Sequence, residues 1–386
     1  MGAYSLGSYA SMLACRTRMP AYFEALERTV KPGSVVLDLG AGFGYFALLA
    51  CRLGAARVYA IEPAESISVA AELARLNGFG DRIVPIRDSS RNVKLPERVD
   101  VIVSDIRGAL PTIGGSLRTL IDARDRLLAP GGTLIPWRDR LWVAPIDDRP
   151  QWQRSVRPWA VVAEAFEPAR GLNLTPVEER LVHYTRSSEL LIASFMATPQ
   201  IWAEIDYHTN QNTDVEGAVE FQIAERGTVY TLGIWFDAEL MEGIRYASGP
   251  ERGTVYANMS LPLSQPLSVQ PGDTLKVRLL SSDIGGTYHL SWWTSLIRGG
   301  QTLSSFQQSD FLSEPLVLDR FKQRLPNHMP KLERRAEIVR QILDGAHAGL
   351  SLGQIAAKLM ENFPDRFEST TAALEHAANA FELFNG

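Results

Sequence analysis

A parallel α/β domain, an all-β domain and a small helical domain, in that order, are the architecture this sequence predicts, and three observations carry it. Short apolar runs alternate with helical stretches from Val35 to about Ile146. Runs of Val, Ile, Thr and aromatic residues, broken by Gly, Pro, Asn and Asp clusters, fill Leu190 to Leu296, and helical periodicity returns after Pro330. With 386 residues, 45% hydrophobic and 22% charged, the chain has the length of two or three domains and an ordinary globular composition, which excludes disorder and collagen-like or low-complexity sequence.

Residues 1–34 are expected to form a helical lid over a ligand, because Tyr22, Phe23, Leu26 and Val30 fall near a 3.6-residue period. Within residues 35–146 strands are expected at Val35 to Leu39, Val58 to Ile61, Ile83 to Ile86, Val99 to Val103 and Thr133 to Ile135. Helices are expected at Tyr45 to Leu53, Ser66 to Asn77 and Leu117 to Leu128. Strands covered by helices on both faces read as nearly continuous apolar runs, as these do. Residues 147–318 read as a β barrel, with turns such as Ser248-Gly249-Pro250 and Pro271-Gly272-Asp273. Inside that span, residues 151–180 carry Trp152, Trp159 and Phe166 without a strand period, which suggests an arm that packs against a second copy of the chain. Residues 319–386 read as three helices, Lys331 to Leu343, Ser351 to Phe363 and Ser369 to Phe384, the second opening with a Ser351/Gln354 capping box.

A net charge of −5 gives no general attraction to nucleic acid or anionic lipid. The start, Met1 to Ala14, lacks a basic segment followed by an apolar run, and no stretch of about 18 apolar residues occurs. Cys15 and Cys51 cannot form a disulfide framework, and the six histidines show no metal-ligand spacing. The expectation is a reduced, cytoplasmic protein without a metal.

The most informative stretch is VVLDLGAGFG at residues 35–44, an apolar strand carrying Asp38 near its end, followed by Gly40, Gly42 and Gly44 and then a helix. Glycines let backbone approach a ligand closely, and the amino end of the following helix aims N–H groups at it. The next strand ends at Ile61 and is followed by Glu62, about twenty residues on, where an acid can accept the hydroxyls of a ribose. Together with Ser104-Asp105 at a later strand end and Leu128-Ala129-Pro130-Gly131-Gly132 before another, this pattern resembles the Rossmann-like class I S-adenosylmethionine-dependent methyltransferases.

More specifically, Tyr4, Tyr9, Met12-Leu13, Arg18 and Tyr22 ahead of that motif, Trp235-Phe236-Asp237, and the run Gln265 to Asp273 resemble the protein arginine methyltransferase family over about residues 4–297. The resemblance implies S-adenosylmethionine as cofactor, with Arg18 on its methionyl carboxylate, Met12 lining it, Asp38, Gly40 and Gly42 beside it, Glu62 on its ribose, and Asp88 and Ser90 in the loop passing its adenine. It also gives residues 151–180 the place of that family's dimerisation arm, and hence a homodimer.

Two departures bear on the acceptor. A guanidinium, with a pKa above about 12, has to be held and oriented, which the family does with two glutamates on one loop. Aligned without a gap, the first becomes Asp105, shorter by about 1.5 Å, and the second becomes Gly114, while Arg107 adds a positive charge. The family's Thr-His-Trp loop aligns with Thr254-Val255-Tyr256. The expectation is therefore methyl transfer to a protein or peptide side chain other than arginine, such as a hydroxyl, imidazole, amine or carboxylate. Asp105 would be the catalytic base, Arg107 would attract an anionic acceptor, and Tyr4 and Tyr9 would close the pocket. His183, His208 and His289 have nothing in sequence to bring them together. A small-molecule acceptor and a catalytically weak, cofactor-gated regulator stay open. The helical tail loosely resembles both winged-helix domains and peptide-recognition domains; a precursor-peptide leader, DNA or only the enzyme itself stays open as its partner, and the acidic net charge weighs against DNA.

Overall fold

The computed structural model describes residues 6–158, 171–284, 287–315 and 326–382, together with positions 162, 165, 166 and 322. The chain divides into two compact units, Met1–Pro315 and Leu316–Gly386.

The first unit opens with helices α1 (Leu6–Leu13) and α2 (Arg18–Thr29); α2 buries Tyr22, Ala25 and Leu26 on one face. A parallel sheet follows, formed by β1 (Val35–Leu39), β2 (Arg57–Ile61), β3 (Ile83–Ile86), β4 (Val99–Ser104) and β5 (Leu128–Ile135), in the order β3-β2-β1-β4-β5. Helices α3 (Tyr45–Arg52), α4 (Ser68–Leu76) and α5 (Ser116–Leu127) connect these strands. The order turns at β1 and β4, so the carboxyl ends of these two strands border the crevice where open α/β sheets take ligands. The strands match the expected runs closely, except that Leu128 to Gly132 lies inside β5, with a register irregularity against β4 between Val99 and Val101.

β6 (Arg138–Ile146) leaves this layer and enters an antiparallel sheet of order β7-β12-β10-β6-β8, with β11 paired to β10. Its other members are β7 (Arg186–Ser188), β8 (Gln200–Asp206), β10 (Gly227–Met241), β11 (Ile244–Ala247) and β12 (Asn258–Val269). A second antiparallel sheet has the order β15-β14-β13-β9 and contains β9 (Val215–Gln222), β13 (Thr274–Ile284), β14 (Thr287–Arg298) and β15 (Gln301–Ser309). The two sheets together make the β-barrel region. At one junction Gly217 brings β9 against β8 so closely that a side chain there would collide with the Trp202 carbonyl. At the other, Gln308 accepts from Ser264 N at 3.0 Å and donates to Pro262 O at 2.9 Å, a side-chain bridge between strand edges. Residues 151–180, read from sequence as an arm, run from within α6 (Arg149–Val156) into α7 (Thr175–Leu181); residues 159–161, 163–164 and 167–170 lie outside the described set.

The second unit contains α8 (Arg334–His347), α9 (Leu352–Asn362) and α10 (Thr370–Glu382), packed around Ile338, Ile342, Ile355, Leu359 and Phe367. The Ser351/Gln354 capping box forms as the sequence predicts. Among residues 326–382 there is no strand, so the wing of the winged-helix alternative is missing from this stretch. No helix among the described residues is long and apolar enough to cross a membrane.

Candidate active site

The glycine-rich turn after β1 takes its shape from its backbone. Gly40, Gly42 and Gly44 have φ of 75°, 59° and 85°, a left-handed region that costs other residues about 1 kcal/mol or more each. Gly40 N and Ala41 N both donate to Ile61 O, at 2.9 and 3.0 Å, which pins the turn to the end of β2. Glu62 accepts from Gly42 N at 3.1 Å and from Ala64 N at 2.9 Å, so the acid predicted for a ribose also orients the turn. The space a side chain at Gly42 would take adjoins the Tyr9 ring, 2.7 Å from Cε1, and at Gly40 it is filled by Ile106.

Asp38 is buried and accepts from Ala47 N at 2.9 Å, in the first turn of α3. Burial, reinforced by the nearby Glu62 charge and opposed by the Ala47 bond, pushes its carboxyl up to about 7. Asp88 is exposed and accepts from Ser89 N and Asn92 Nδ2, closing a turn. Ser90 is buried, and its carbonyl accepts from Arg126 Nη2 at 2.7 Å. These two therefore shape the loop after β3.

The second group of residues centres on Asp105, two residues before Arg107 in the loop after β4. Arg18 Nη1 forms an ion pair with Asp105 Oδ2, while Arg18 Nη2 donates to Met12 O at 2.6 Å, which ties α1 to the start of α2. Asp105 Oδ1 accepts from Tyr256 Oη and, at 3.2 Å, from Arg107 Nη2. Burial alone would raise the Asp105 carboxyl, but the Arg107 and Arg18 guanidinium groups outweigh it and hold the carboxyl below its ordinary value. Arg107 Nη2 also donates to Tyr22 Oη at 2.5 Å and Tyr246 Oη at 2.6 Å. Tyr246 Oη in turn donates to Tyr256 Oη at 3.3 Å, completing a circuit back to Asp105.

Arg107 corrects one expectation. Read from sequence, it is an uncompensated positive charge facing the acceptor. In the structure its side chain is 1% exposed and its Nη1 donates at 2.8 Å to Asp139, itself 0% exposed. Asp139 also accepts from Tyr207 Oη at 2.6 Å. The cation is neutralised inside the protein, because a buried guanidinium without a partner carries a desolvation penalty of several kcal/mol.

Gly114, where the family's second glutamate aligns, has φ 76°, and Gly115, also at φ 76°, precedes α5. The backbone there suits glycine rather than glutamate. His183, His208 and His289 stand apart: they contact Ser309 N, Leu134 O and Asp310, respectively. Tyr4 lies outside the described residues.

Comparison with known proteins places this geometry. Residues 17–136 match the model of the ribosomal protein L11 methyltransferase family, PrmA. Over 296 residues the chain is 30% identical to protein arginine N-methyltransferase PRMT10 of Oryza sativa subsp. japonica, covering 69% of this chain and 78% of the relative. The chain belongs to the protein arginine methyltransferase family. The Arabidopsis thaliana PRMT10 is 27% identical over 301 residues, 70% of this chain and 79% of that one. The crystal structure of Arabidopsis thaliana protein arginine methyltransferase 10 aligns with a TM-score of 0.68 at 25% identity, over 79% of this chain and 97% of that one. A chain of the Trypanosoma brucei PRMT1 enzyme-prozyme complex with AdoHcy shares the fold at a TM-score of 0.69 and 23% identity, over 79% and 98% of the two chains.

This family member is an S-adenosylmethionine-dependent methyltransferase. Its residues fit that cofactor in kind. Among the buried polar atoms without a hydrogen-bond partner are Arg18 Nε, a donor, and Asp38 Oδ1, an acceptor. A methionyl group offers each its complement, a carboxylate and an ammonium. Sequence reasoning missed Asp139, Tyr207 and Tyr246, all contributed by the barrel half. One signal was available: in β6, Asp139 shares the buried parity of Leu141 and Val143, so a strand period alone aims a carboxylate inward.

Proposed function

We propose that this methyltransferase modifies a neutral side chain of a protein or peptide, and that the acceptor is not a guanidinium. The observation that carries this reading is the charge-balanced buried cluster in which Arg18 and Arg107 face Asp105 and Asp139 and four tyrosines add hydrogen bonds to it. A third guanidinium would meet a single carboxylate, Asp105, that two arginines already share, and no second one, since position 114 is a left-handed glycine.

The cofactor, when bound, supplies an electrophilic methyl on a sulfonium. Arg18 and Asp38 would hold its methionyl end, Gly40 and Gly42 would admit it along the turn, Met12 and Tyr9 would cover it, and Glu62 would take its ribose. Asp88 and Ser90 would frame the adenine side. Asp105 stays ionised, because two guanidinium groups stabilise its charge, and it orients an acceptor O–H or N–H by accepting a hydrogen bond. As a hydroxyl oxygen is alkylated its proton becomes strongly acidic, so a carboxylate of low pKa is base enough to remove it, whereas an alkylated amine leaves as its ammonium and yields its proton to solvent. Tyr256, bonded to Asp105, holds that carboxylate in place.

The relatives' names favour a second reading, arginine, with Asp105 as the retained half of the carboxylate pair. Methyl transfer from isotopically labelled S-adenosylmethionine into a lysate of the native host, with labelled sites located by mass spectrometry, separates the two. Label on a non-arginine side chain supports the proposal, and label confined to arginine overturns it. Asp105→Ala should lower turnover by about 100-fold or more while S-adenosylhomocysteine affinity stays within about threefold.

We infer further that the protein is a cytoplasmic homodimer assembled through residues 151–180, where Leu172 and Val177 are exposed apolar residues. Size-exclusion chromatography with light scattering tests the assembly: a dimer lost on deleting residues 151–180 supports it, and a monomeric wild type overturns it.

A further inference from the structure

On the side of β10 facing away from the core, a cavity of about 330 Å³ holds Arg138, Arg140, Arg245 and Arg252 around Asp237 and Glu239. The strand period explains the collection. Trp235, Asp237 and Glu239 alternate with the core residues Ile234, Phe236 and Ala238, and Arg138 and Arg140 of β6 pair in register with Glu239 and Asp237.

Charge in this cavity does not balance. Glu239 takes Arg245 at 2.8 Å, Arg138 at 3.5 Å and Arg140 at 3.9 Å, and Glu204 on β8 takes Arg138 at 3.2 Å and Arg140 at 2.9 Å. Three guanidinium groups thus share two carboxylates. Among the described residues Arg252 forms no ion pair and feels the through-space field of Asp237, whose carboxyl burial raises, while the adjacent Glu251 is turned to Ile192 N at 3.2 Å. Arg245 is 57% exposed, so a charged group from solvent can reach it.

The cavity shares a wall with the catalytic cluster. Tyr246 lines it, and the same tyrosine's hydroxyl accepts from Arg107 and donates to Tyr256. Thr17, beside Arg18, donates to the Arg252 carbonyl, which ties the cavity's rim to the cofactor lid.

We propose that this cavity is a docking subsite for a carboxylate-bearing segment of the acceptor peptide, so that the enzyme selects acidic peptides and places a side chain next to the carboxylate at Asp105. The proposal rests on a peptide acceptor, but its test reads binding rather than transfer. Arginine forks recognise carboxylates with two parallel hydrogen bonds, and three of the four guanidinium groups, those of Arg138, Arg140 and Arg245, are set on strands.

The experiment uses the full chain with saturating S-adenosylhomocysteine at 0.15 M salt and a fluorescein-labelled peptide of alternating glutamate and alanine, followed by anisotropy. Its lysine-alanine counterpart is the control. The glutamate peptide should bind at least about tenfold more tightly than the lysine peptide. The exposed pair Arg245→Glu and Arg252→Glu, made together, should erase that preference while S-adenosylhomocysteine affinity, read by calorimetry, stays at the wild-type value. Equal binding of the two peptides, tighter binding of the lysine peptide, or a preference that survives the double substitution would each overturn the subsite. Acidic-peptide binding that responds to the double substitution, without methyl transfer to any peptide, would leave the subsite standing and remove the peptide acceptor instead.

Discussion

Arg107 and Asp139 form an ion pair of 2.8 Å in which one side chain is 1% and the other 0% exposed, and the two residues come from different structural halves, the loop after β4 and strand β6. The pair welds the parallel-sheet layer to the barrel at the acceptor side of the site.

Breaking that pair from one side should be costly. Asp139→Ala leaves a buried guanidinium with only Asp105 at 3.2 Å as counter-ion and should lose about 3–5 kcal/mol of unfolding free energy in a urea titration. Removing both charges, as Arg107→Met with Asp139→Leu, should recover more than half of that loss. A single-variant loss below about 1 kcal/mol would show that the pair is replaceable.

Arg18 divides its donors between Asp105 and the Met12 carbonyl and has Nε to spare. Arg18→Lys keeps the charge but gives up the planar fork. It should weaken S-adenosylhomocysteine binding by about tenfold or more, measured by calorimetry, with thermal stability changed by only a few degrees. An unchanged dissociation constant would remove Arg18 from the cofactor site.

Asp38 gives a pH signature. Its carboxyl is raised from 3.8 to about 7, so the folded chain keeps a proton that the unfolded chain has released. The folded state binds more protons between these values, and stability from this group is present in full below about pH 4 and is lost as pH rises through about 7. Asp38→Asn keeps an acceptor for Ala47 N and should flatten that component of the unfolding free energy between pH 4 and 7. Cofactor affinity should rise across pH 6 to 8 in the wild type, as the carboxylate that meets an ammonium forms, and not in the variant. Parallel pH profiles for the two proteins would refute the assignment.

Restoring the family's second glutamate should fail. Gly114→Glu places a side chain at φ 76°, which costs about 1–2 kcal/mol. The variant should be less stable by that amount in chemical denaturation and should gain no methylation of an arginine peptide in a radiolabel assay. Strong arginine methylation by this variant would mean that the missing carboxylate alone decides the acceptor.

Elements with local causes were legible in the sequence. The run Val35 to Gly44 gave strand, turn and helix start because apolar periodicity and glycine conformation act over a few residues, and Ser351 with Gln354 gave the start of α9 for the same reason. Arg18, Asp38 and Glu62, the residues predicted to meet the cofactor, sit on α2, on β1 and just after β2, elements whose positions were readable. The network around Asp105 and Arg107 was only partly readable, because Asp139 and Tyr246 reach Arg107, and Tyr207 reaches Asp139, from residues far away in sequence, and no period reports which strand faces which loop. Charge compensation at Arg107 is a tertiary fact, separated by 32 residues from its partner. A sequence count of charges beside Asp105 therefore had the sign of the local residue right and the net charge of the pocket wrong.

The triplet Arg138-Asp139-Arg140 at the start of β6 sorts its charges by alternation, with the carboxylate inward and both guanidinium groups outward. A slip of one residue against β10 would thrust an arginine at Arg107 and turn the aspartate to solvent. Electrostatic repulsion thereby polices the register of this strand, and a misaligned pairing of β6 with β10 during folding would put two cations face to face in the interior of the protein.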